Sequence, residues 1–115
     1  GIALAIAIFV AVRAVILGRE VLTVLGQHAP ADMAPDDVEQ ALSGVPGVSN
    51  VHDLHVWTLT SGMNVATAHV MTDEGADAHA VLDSARTVMR TDFGVEHATL
   101  QVEPNTHTGC KEVTW

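Results

Sequence analysis

The sequence predicts an α+β fold, in which an apolar helix precedes a two-layer sandwich with a three-stranded sheet. Three observations lead to it. The chain starts with a long apolar run, Ile2–Leu17. Two segments rich in β-branched residues follow one another after Val48, separated by a tight turn at Ser61-Gly62. Apolar residues then recur at helical spacing between Ala78 and Met89, and a short alternating segment follows them. Together with a short helix that starts at Pro35, these segments give the order helix–strand–strand–helix–strand after the apolar helix.

The apolar run contains a single charged residue, Arg13. It is shorter than the about 20 residues that span a bilayer, and a buried core helix is the plain alternative. A 115-residue chain, however, has no centre large enough to surround a helix that is apolar on every side. We therefore expect the end of a membrane helix, truncated in this chain, with Arg13 and Arg19 toward the cytoplasm. The helix should continue toward His28 and stop at Gly26 and the following Ala29-Pro30.

The soluble elements begin and end at residues that favour helix starts and turns. Proline and two acids suit the first helical turn, and glycine suits the residue after a helix. Strand assignments rest on β-branched content and on strict alternation of apolar and polar residues. The predicted elements are a helix from Pro35 to Gly44, strands Val48–Thr60 and Met63–Met71, a helix from Ala78 to Phe93, and a strand His97–Glu103.

Four segments describe the predicted domain organisation. Their boundaries follow the change from apolar to acidic sequence and the two prolines between residues 29 and 35. The segments are the membrane helix with its cytoplasmic extension (residues 1–28), a hinge (29–35), a soluble metal-binding and dimerisation domain (36–104) and a C-terminal tail (105–115).

The charge balance excludes one class of partner and favours another. Five Lys and Arg residues face 14 Asp and Glu residues, which gives a net charge of −9. Nucleic acid is a poor partner for such a chain, because phosphate binding depends on Lys and Arg. Acids together with seven His suit cations instead. The one cysteine, Cys110, excludes an internal disulfide, and the scarcity of aromatic residues makes a partner chain a plausible source of extra packing.

Histidines are the main candidates for chemistry. On a regular first strand, side chains alternate between faces, so His52 would lie with Leu54 and Val56, and His55 on the opposite face with Trp57. The two histidines would then be unable to chelate one ion together. His69 lies on the paired strand. Imidazole, carboxylate and thiolate groups are ligands for Zn²⁺, but no compact zinc motif is present, and ordinary surface histidines remain the alternative.

Further candidate ligands lie elsewhere in the soluble part. One is at the start of the second soluble helix, two are on the last strand and two follow it. They are His79, His97, Glu103, His107 and Cys110.

Two strings resemble a known family. Val51-His52-Asp53-Leu54-His55-Val56-Trp57, followed by Thr58 and Gly62, closely resembles the cytoplasmic-domain signature of the cation diffusion facilitator family of zinc and heavy-metal efflux transporters. His97-Ala98-Thr99-Leu100-Gln101-Val102-Glu103 resembles the last strand of that domain. The apolar helix that ends in Arg19-Glu20-Val21-Leu22 resembles the family's last membrane helix.

The resemblance implies a ferredoxin-like, metallochaperone-like αββαβ domain. Such a domain forms a homodimer in the cytoplasm, below the membrane part of a divalent-cation/proton antiporter in the cell (inner) membrane. Metal ions bound near the subunit boundary tighten the dimer and favour transport. Zn²⁺ is the expected ion, with Cd²⁺, Co²⁺, Mn²⁺ and Fe²⁺ as alternatives.

Carried over by position, the resemblance implies His52, His69 and Glu103 as the best metal ligands. Gln101 stands where some members have another histidine. The weaker candidates match only positions that some family members use as additional ligands, in the domain or in the C-terminal tail. In the tail, a single cysteine stands where those members have a pair, which weakens the match. They are His79, His97, Gln101, His107 and Cys110. Trp57 is either a structural anchor or an interface residue.

Two other functions stay open at this stage. A stand-alone metallochaperone or metal-storage domain would explain the His and acid content, but it would not explain the apolar first helix. A zinc hydrolase needs three ligands, an open position and a nearby base. The spacing singles out no such arrangement, so we expect no enzyme. Ile2–Leu17 also contains no His, Asp or Glu, so this segment holds no intramembrane transport site.

Overall fold

A computed structural model describes residues 1–60 and 62–109 of the chain. It confirms the predicted fold class and the predicted order of elements. Cys110 and the rest of the tail lie outside the described residues. The elements are α1 (Ile2–Leu25), α2 (Pro35–Ser43), β1 (Val48–Thr60), β2 (Met63–Thr72), α3 (Ala78–Phe93) and β3 (His97–Pro104).

The three strands form one mixed sheet in the order β1-β2-β3. β1 and β2 pair as an antiparallel hairpin, which the two-residue connection between them allows. β2 and β3 are parallel, so the chain crosses back through α3 between them. The parallel register pairs His69 with Gln101 and Met71 with Glu103. The C-terminal halves of β2 and β3 therefore place His69 beside Gln101 and Glu103, which are more than 30 residues away in the sequence.

The hydrophobic core lies between one face of the sheet and the helices α2 and α3. Alternation along β2 buries Ala66, Ala68 and Val70 completely or almost completely. Small residues here let the helices approach the sheet closely. The other buried apolar residues come from the two helices, from β1 and from the connections: Met33, Val38, Leu42, Val45, Val51, Val56, Val81, Ala85, Met89 and Val95.

Local signals fix the ends of α3. The Asp77 carboxylate accepts hydrogen bonds from the backbone N–H groups of His79 and Ala80, so Asp77 is an N-cap. At the other end, Gly94 adopts a left-handed conformation with φ of 66°. A glycine tolerates this conformation at no steric cost. Local capping residues therefore define where α3 begins and ends.

α1 differs from the other helices because none of its residues is buried. It is the one helix in the described residues that is long and apolar enough to cross a membrane. Its 24 residues correspond to about 36 Å, against about 30 Å for a bilayer core. The helix extends beyond the apolar run and ends at Leu25, three residues before His28, because Gly26 already stops it.

Candidate metal centre

The three best candidate metal ligands, His52, His69 and Glu103, lie on the face of the sheet that carries neither α2 nor α3. Thr67, His69 and Met71 of β2 point to this face and are half-buried. Gln101 and Glu103 join them from β3, because parallel pairing aligns the two strands residue by residue. We call this surface the helix-free face.

A β-bulge in β1 brings both histidines of that strand to the helix-free face. His52 pairs with His69 and His55 pairs with Thr67, so three steps on β1 match two steps on β2. Asp53, within the bulge, has a φ of +51°. Since Thr67 and His69 share a face, their partners share it too. The prediction that His52 and His55 lie on opposite faces is therefore wrong, because it assumed regular alternation.

Three side chains converge on this face: His52, His69 and Glu103. His52 Nε2 lies 3.3 Å from Glu103 Oε2, and His69 Nδ1 lies 2.9 Å from Glu103 Oε1. One ligand atom from each residue can be chosen so that all three lie within 4.8 Å of one another. Tetrahedral zinc with bonds of about 2.0–2.1 Å separates neighbouring ligand atoms by about 3.3 Å. The cluster therefore needs only small movements to close around an ion.

The Nδ1 atom of His69 has an unusual environment. It is buried and makes no hydrogen bond among the described residues, although a carboxylate oxygen of Glu103 lies 2.9 Å away. Buried polar atoms almost always have a partner. An ion held between this nitrogen and the carboxylate would satisfy both groups.

Glu103 is the most deeply buried member of the cluster. Its side chain is 4% exposed, against 10% for His52 and 24% for His69. The side-chain amide of Gln101 donates a hydrogen bond of 2.6 Å to Glu103 Oε1. Thr72 Oγ1 donates a hydrogen bond to the backbone carbonyl of Glu103. Gln101, one of the candidate ligands from sequence, therefore turns its amide N–H toward the cluster and orients the carboxylate of Glu103.

Asp53 adjoins the cluster, and the sequence reasoning assigned it no role. Its Oδ1 lies 2.9 Å from His55 Nε2, and its Oδ2 lies 3.6 Å from His69 Nε2. The only available signal was chemical, since aspartate adopts the left-handed conformation of a bulge more readily than most residues. The bulge itself leaves no recognisable pattern in the sequence.

Among the described residues, only His52, His69 and Glu103 form a group of side chains that could hold a metal ion. The remaining histidine candidates, His79, His97 and His107, do not belong to this group. His79 is exposed in the first turn of α3. His97, also exposed, starts β3 opposite Val65, at the end of the strand remote from Glu103. His107 is exposed in the turn after β3, and Cys110 lies outside the described residues.

Comparison with known proteins agrees with the fold and identifies the family. Residues 30–105 match the family described as "Cation efflux protein, cytoplasmic domain". A mouse protein named "Probable proton-coupled zinc antiporter SLC30A3" is 45% identical over 85 residues, which are 74% of this chain and 22% of that protein. The "Metal cation efflux system protein CzcD" of Cupriavidus metallidurans is 36% identical over 103 residues, which are 89% of this chain and 33% of that protein. The chain thus spans about a fifth to a third of these relatives.

Comparison with solved structures also identifies C-terminal domains of the same fold. The metal-bound C-terminal domain of the CzcD transporter is 35% identical, with a TM-score of 0.59, and the match covers 62% of this chain and 99% of that one. The MamM C-terminal domain, at 18% identity and a TM-score of 0.54, covers 61% of this chain and 92% of that one, and shows the shared fold. The predicted family and the cytoplasmic location of the domain are confirmed. The chain belongs to the cation efflux protein family, and residues 30–105 are its cytoplasmic domain.

Proposed function

We propose that this chain is the regulatory, dimerising end of a divalent-cation efflux transporter, and that it binds metal through His52, His69 and Glu103. One observation carries the proposal: two imidazoles and a carboxylate from three different strands meet within 4.8 Å on one face. Zn²⁺ is the first candidate ion, because it accepts such a mixed nitrogen and oxygen ligand set. The zinc antiporter and the metal-bound domain among the relatives support this choice.

The number of ligands supports a site at a subunit boundary. Structural zinc sites usually have four ligands, and the described residues bring three candidate ligands together. Neither α2 nor α3 covers the helix-free face, so a second copy of the chain or a water molecule would supply the fourth ligand. An ion that binds the closed dimer better than the separate chains stabilises that dimer by its difference in affinity. Metal in the cytoplasm would thereby favour the transport-competent dimer.

α1 supports attachment to a membrane. Its large apolar side chains are exposed along its length, including Ile2, Phe9 and Leu17. A stand-alone metallochaperone would have to keep this surface in water, so that alternative is disfavoured. The apolar run of α1 contains no His, Asp or Glu. The residues that carry ions across the membrane are therefore expected elsewhere in the transporter, and residues 29–35 would act as the hinge to the domain.

The test uses the full chain in detergent micelles. Zn²⁺ is titrated against a competing chelator, and the protein mass within the micelles is followed by light scattering. We expect the unaltered chain to bind Zn²⁺ and to shift from monomer to dimer as it does so. Replacing both histidines, His52→Ala with His69→Ala, should weaken binding at least about 100-fold and abolish the metal-dependent shift, because only one ligand remains.

A matched double variant serves as the control. His79→Ala with His97→Ala also removes two imidazoles, both exposed and both outside the cluster. It should bind Zn²⁺ and dimerise like the unaltered chain. Equal loss in the two double variants, or no loss in either, would contradict the proposed centre.

A further inference from the structure

Asp53 bridges two histidines on the helix-free face. One carboxylate oxygen lies 2.9 Å from His55 Nε2, and the other lies 3.6 Å from His69 Nε2. Asp53 is 23% exposed, so its interactions are partly shielded from water. The carboxylate thus stands behind His69, on the side opposite Glu103.

The two nitrogens of His69 have different surroundings. Nδ1 lies 2.9 Å from Glu103 Oε1, while Nε2 faces Asp53 Oδ2. A metal-bound histidine generally donates its other ring N–H to a carboxylate, a carbonyl or water, which fixes the ring and raises the basicity of the ligating nitrogen. The 3.6 Å separation is longer than a hydrogen bond. A small rotation of the ring or of the carboxylate is enough to close it.

The charge of the centre gives a second, independent reason. Two neutral imidazoles and the Glu103 carboxylate carry one negative charge together, so a divalent ion would leave the cluster with one positive charge. The carboxylate of Asp53 lies next to His69 but is not one of the three candidate ligands, so it would supply the second negative charge that balances a divalent ion. Because the site is partly buried, this compensation is screened less than it would be at the surface.

The backbone places Asp53 where this contact is possible. Its φ of +51° lies in the left-handed region, and the register of β1 shifts between His52 and His55. In a regular strand, Asp53 would point to the face opposite His52. The bulge redirects the side chain toward His69, as bulges beside functional sites often do.

We propose that Asp53 is a positioning residue of the metal centre. Its carboxylate accepts the Nε2–H of His69, so that Nδ1 faces the ion, and it balances the charge of the occupied site without binding the ion itself. This inference rests on the proposed metal-binding function of His52, His69 and Glu103.

The test compares the full chain in detergent micelles with Asp53→Asn and Asp53→Gly. Both replacements tolerate a positive φ, so the bulge is retained. We expect Zn²⁺ affinity to fall about 10-fold in Asp53→Asn and by up to about 100-fold in Asp53→Gly. Asp83→Asn makes the same charge change at an exposed position on α3, and should change affinity less than about twofold because salt screens it.

Two spectroscopic readouts separate positioning from a purely structural role. With ¹⁵N-labelled histidine and bound Zn²⁺, the unaltered chain should show a slowly exchanging Nε2–H proton on His69. That signal should weaken in Asp53→Asn and disappear in Asp53→Gly, while the Nδ1 shift stays that of a metal-bound nitrogen. With Co²⁺ in place of Zn²⁺, the visible absorption bands should keep their positions in all variants, because the ligand set is unchanged.

The possible failures are distinct. If the unaltered chain binds no Zn²⁺, the proposed function falls and this inference falls with it. If it binds Zn²⁺, and both Asp53 variants match its affinity and its His69 Nε2–H signal, only the role of Asp53 is refuted. A change in the Co²⁺ bands of Asp53→Asn would show that Asp53 is a ligand, which also overturns a positioning role.

Discussion

The two faces of the sheet use the same strands for different purposes. Along β2, Ala66, Ala68 and Val70 pack under the helices and are at most 1% exposed. Their neighbours Thr67 and His69 point to the helix-free face and remain half-buried. Because side chains alternate along a strand, one short segment supplies core packing and the proposed metal ligand His69 at once.

The faces also differ in how they tolerate charge. We call the opposite face, which packs against α2 and α3, the covered face. Its one buried polar side chain from β2, Thr72, donates a hydrogen bond to a backbone carbonyl. On the helix-free face, the carboxylate of Glu103 is 4% exposed and is surrounded by His52, His69 and Gln101. A buried carboxylate is costly unless it is paired. On the helix-free face, the donors around Glu103 offset this cost, and the proposed metal ion would offset it further.

The largest contrast between the faces should come from placing a charge on each. Ala66→Asp would bury a carboxylate under the helices with no partner, and should destabilise the domain by at least about 4 kcal/mol. Val65→Asp, one residue earlier, places the same group on the half-buried helix-free face and should cost about 1 kcal/mol. Urea denaturation followed by circular dichroism, on the full chain in micelles, measures both. Similar losses in the two variants would show that the helix-free face is as closed as the other.

The next largest effect concerns metal-dependent stability. Zn²⁺ at 100 times its dissociation constant should stabilise the unaltered chain by about 2.7 kcal/mol relative to the chain in chelator. Glu103→Gln keeps the shape but removes the negative charge, so at the same Zn²⁺ concentration the gain should fall below about 1 kcal/mol. Thermal unfolding with and without Zn²⁺ measures the difference. Glu96→Gln, exposed just before β3, is the matched control and should keep the full gain.

The fold was largely predictable because its signals are local. The alternation of His97–Glu103 and the helical spacing from Ala78 to Met89 each reflect burial of one face, and the structure confirms both elements. The stop signal predicted at Gly26 is confirmed, but α1 ends at Leu25, three residues before the predicted end at His28. Such boundaries depend on capping geometry, which the sequence specifies weakly.

The candidate site was predictable only in part. His52, His69 and Glu103 were identified through a family resemblance, and the structure brings them together. The positions of His55 and Asp53 were missed, because a bulge shifts the register and moves side chains between faces. The sequence contains no glycine at the bulge to mark it. The role of Gln101 as a donor to Glu103 also depends on a geometry that residue types alone do not specify.

A smaller difference in stability should separate alanine replacements at two glycines, Gly47 beside α3 and Gly75 in open space. Gly47 and Gly75 both have a positive φ, so alanine at either position incurs strain of about 1 kcal/mol. At Gly47 the new Cβ would also lie 3.0 Å from Val81 and 3.3 Å from Ala76, whereas at Gly75 nothing lies within 4 Å. We expect about 2 kcal/mol for Gly47→Ala and about 1 kcal/mol for Gly75→Ala, measured by urea denaturation. Equal losses would mean that the contact with α3 adjusts without cost.

The smallest expected effect tests whether the faces are energetically separate. Asp77→Ala removes the N-cap of α3, which packs on the covered face only, and should destabilise the domain by about 1 kcal/mol. Asp77→Asn keeps a capping oxygen and should change stability by only a few tenths of a kcal/mol. Neither variant should alter Zn²⁺ affinity while the domain is folded, because α3 contributes no ligand to the centre. If Asp77→Ala weakened Zn²⁺ binding in the folded chain, the helix cap and the metal centre would be coupled through the sheet, and the two faces would have to be treated as one cooperative unit.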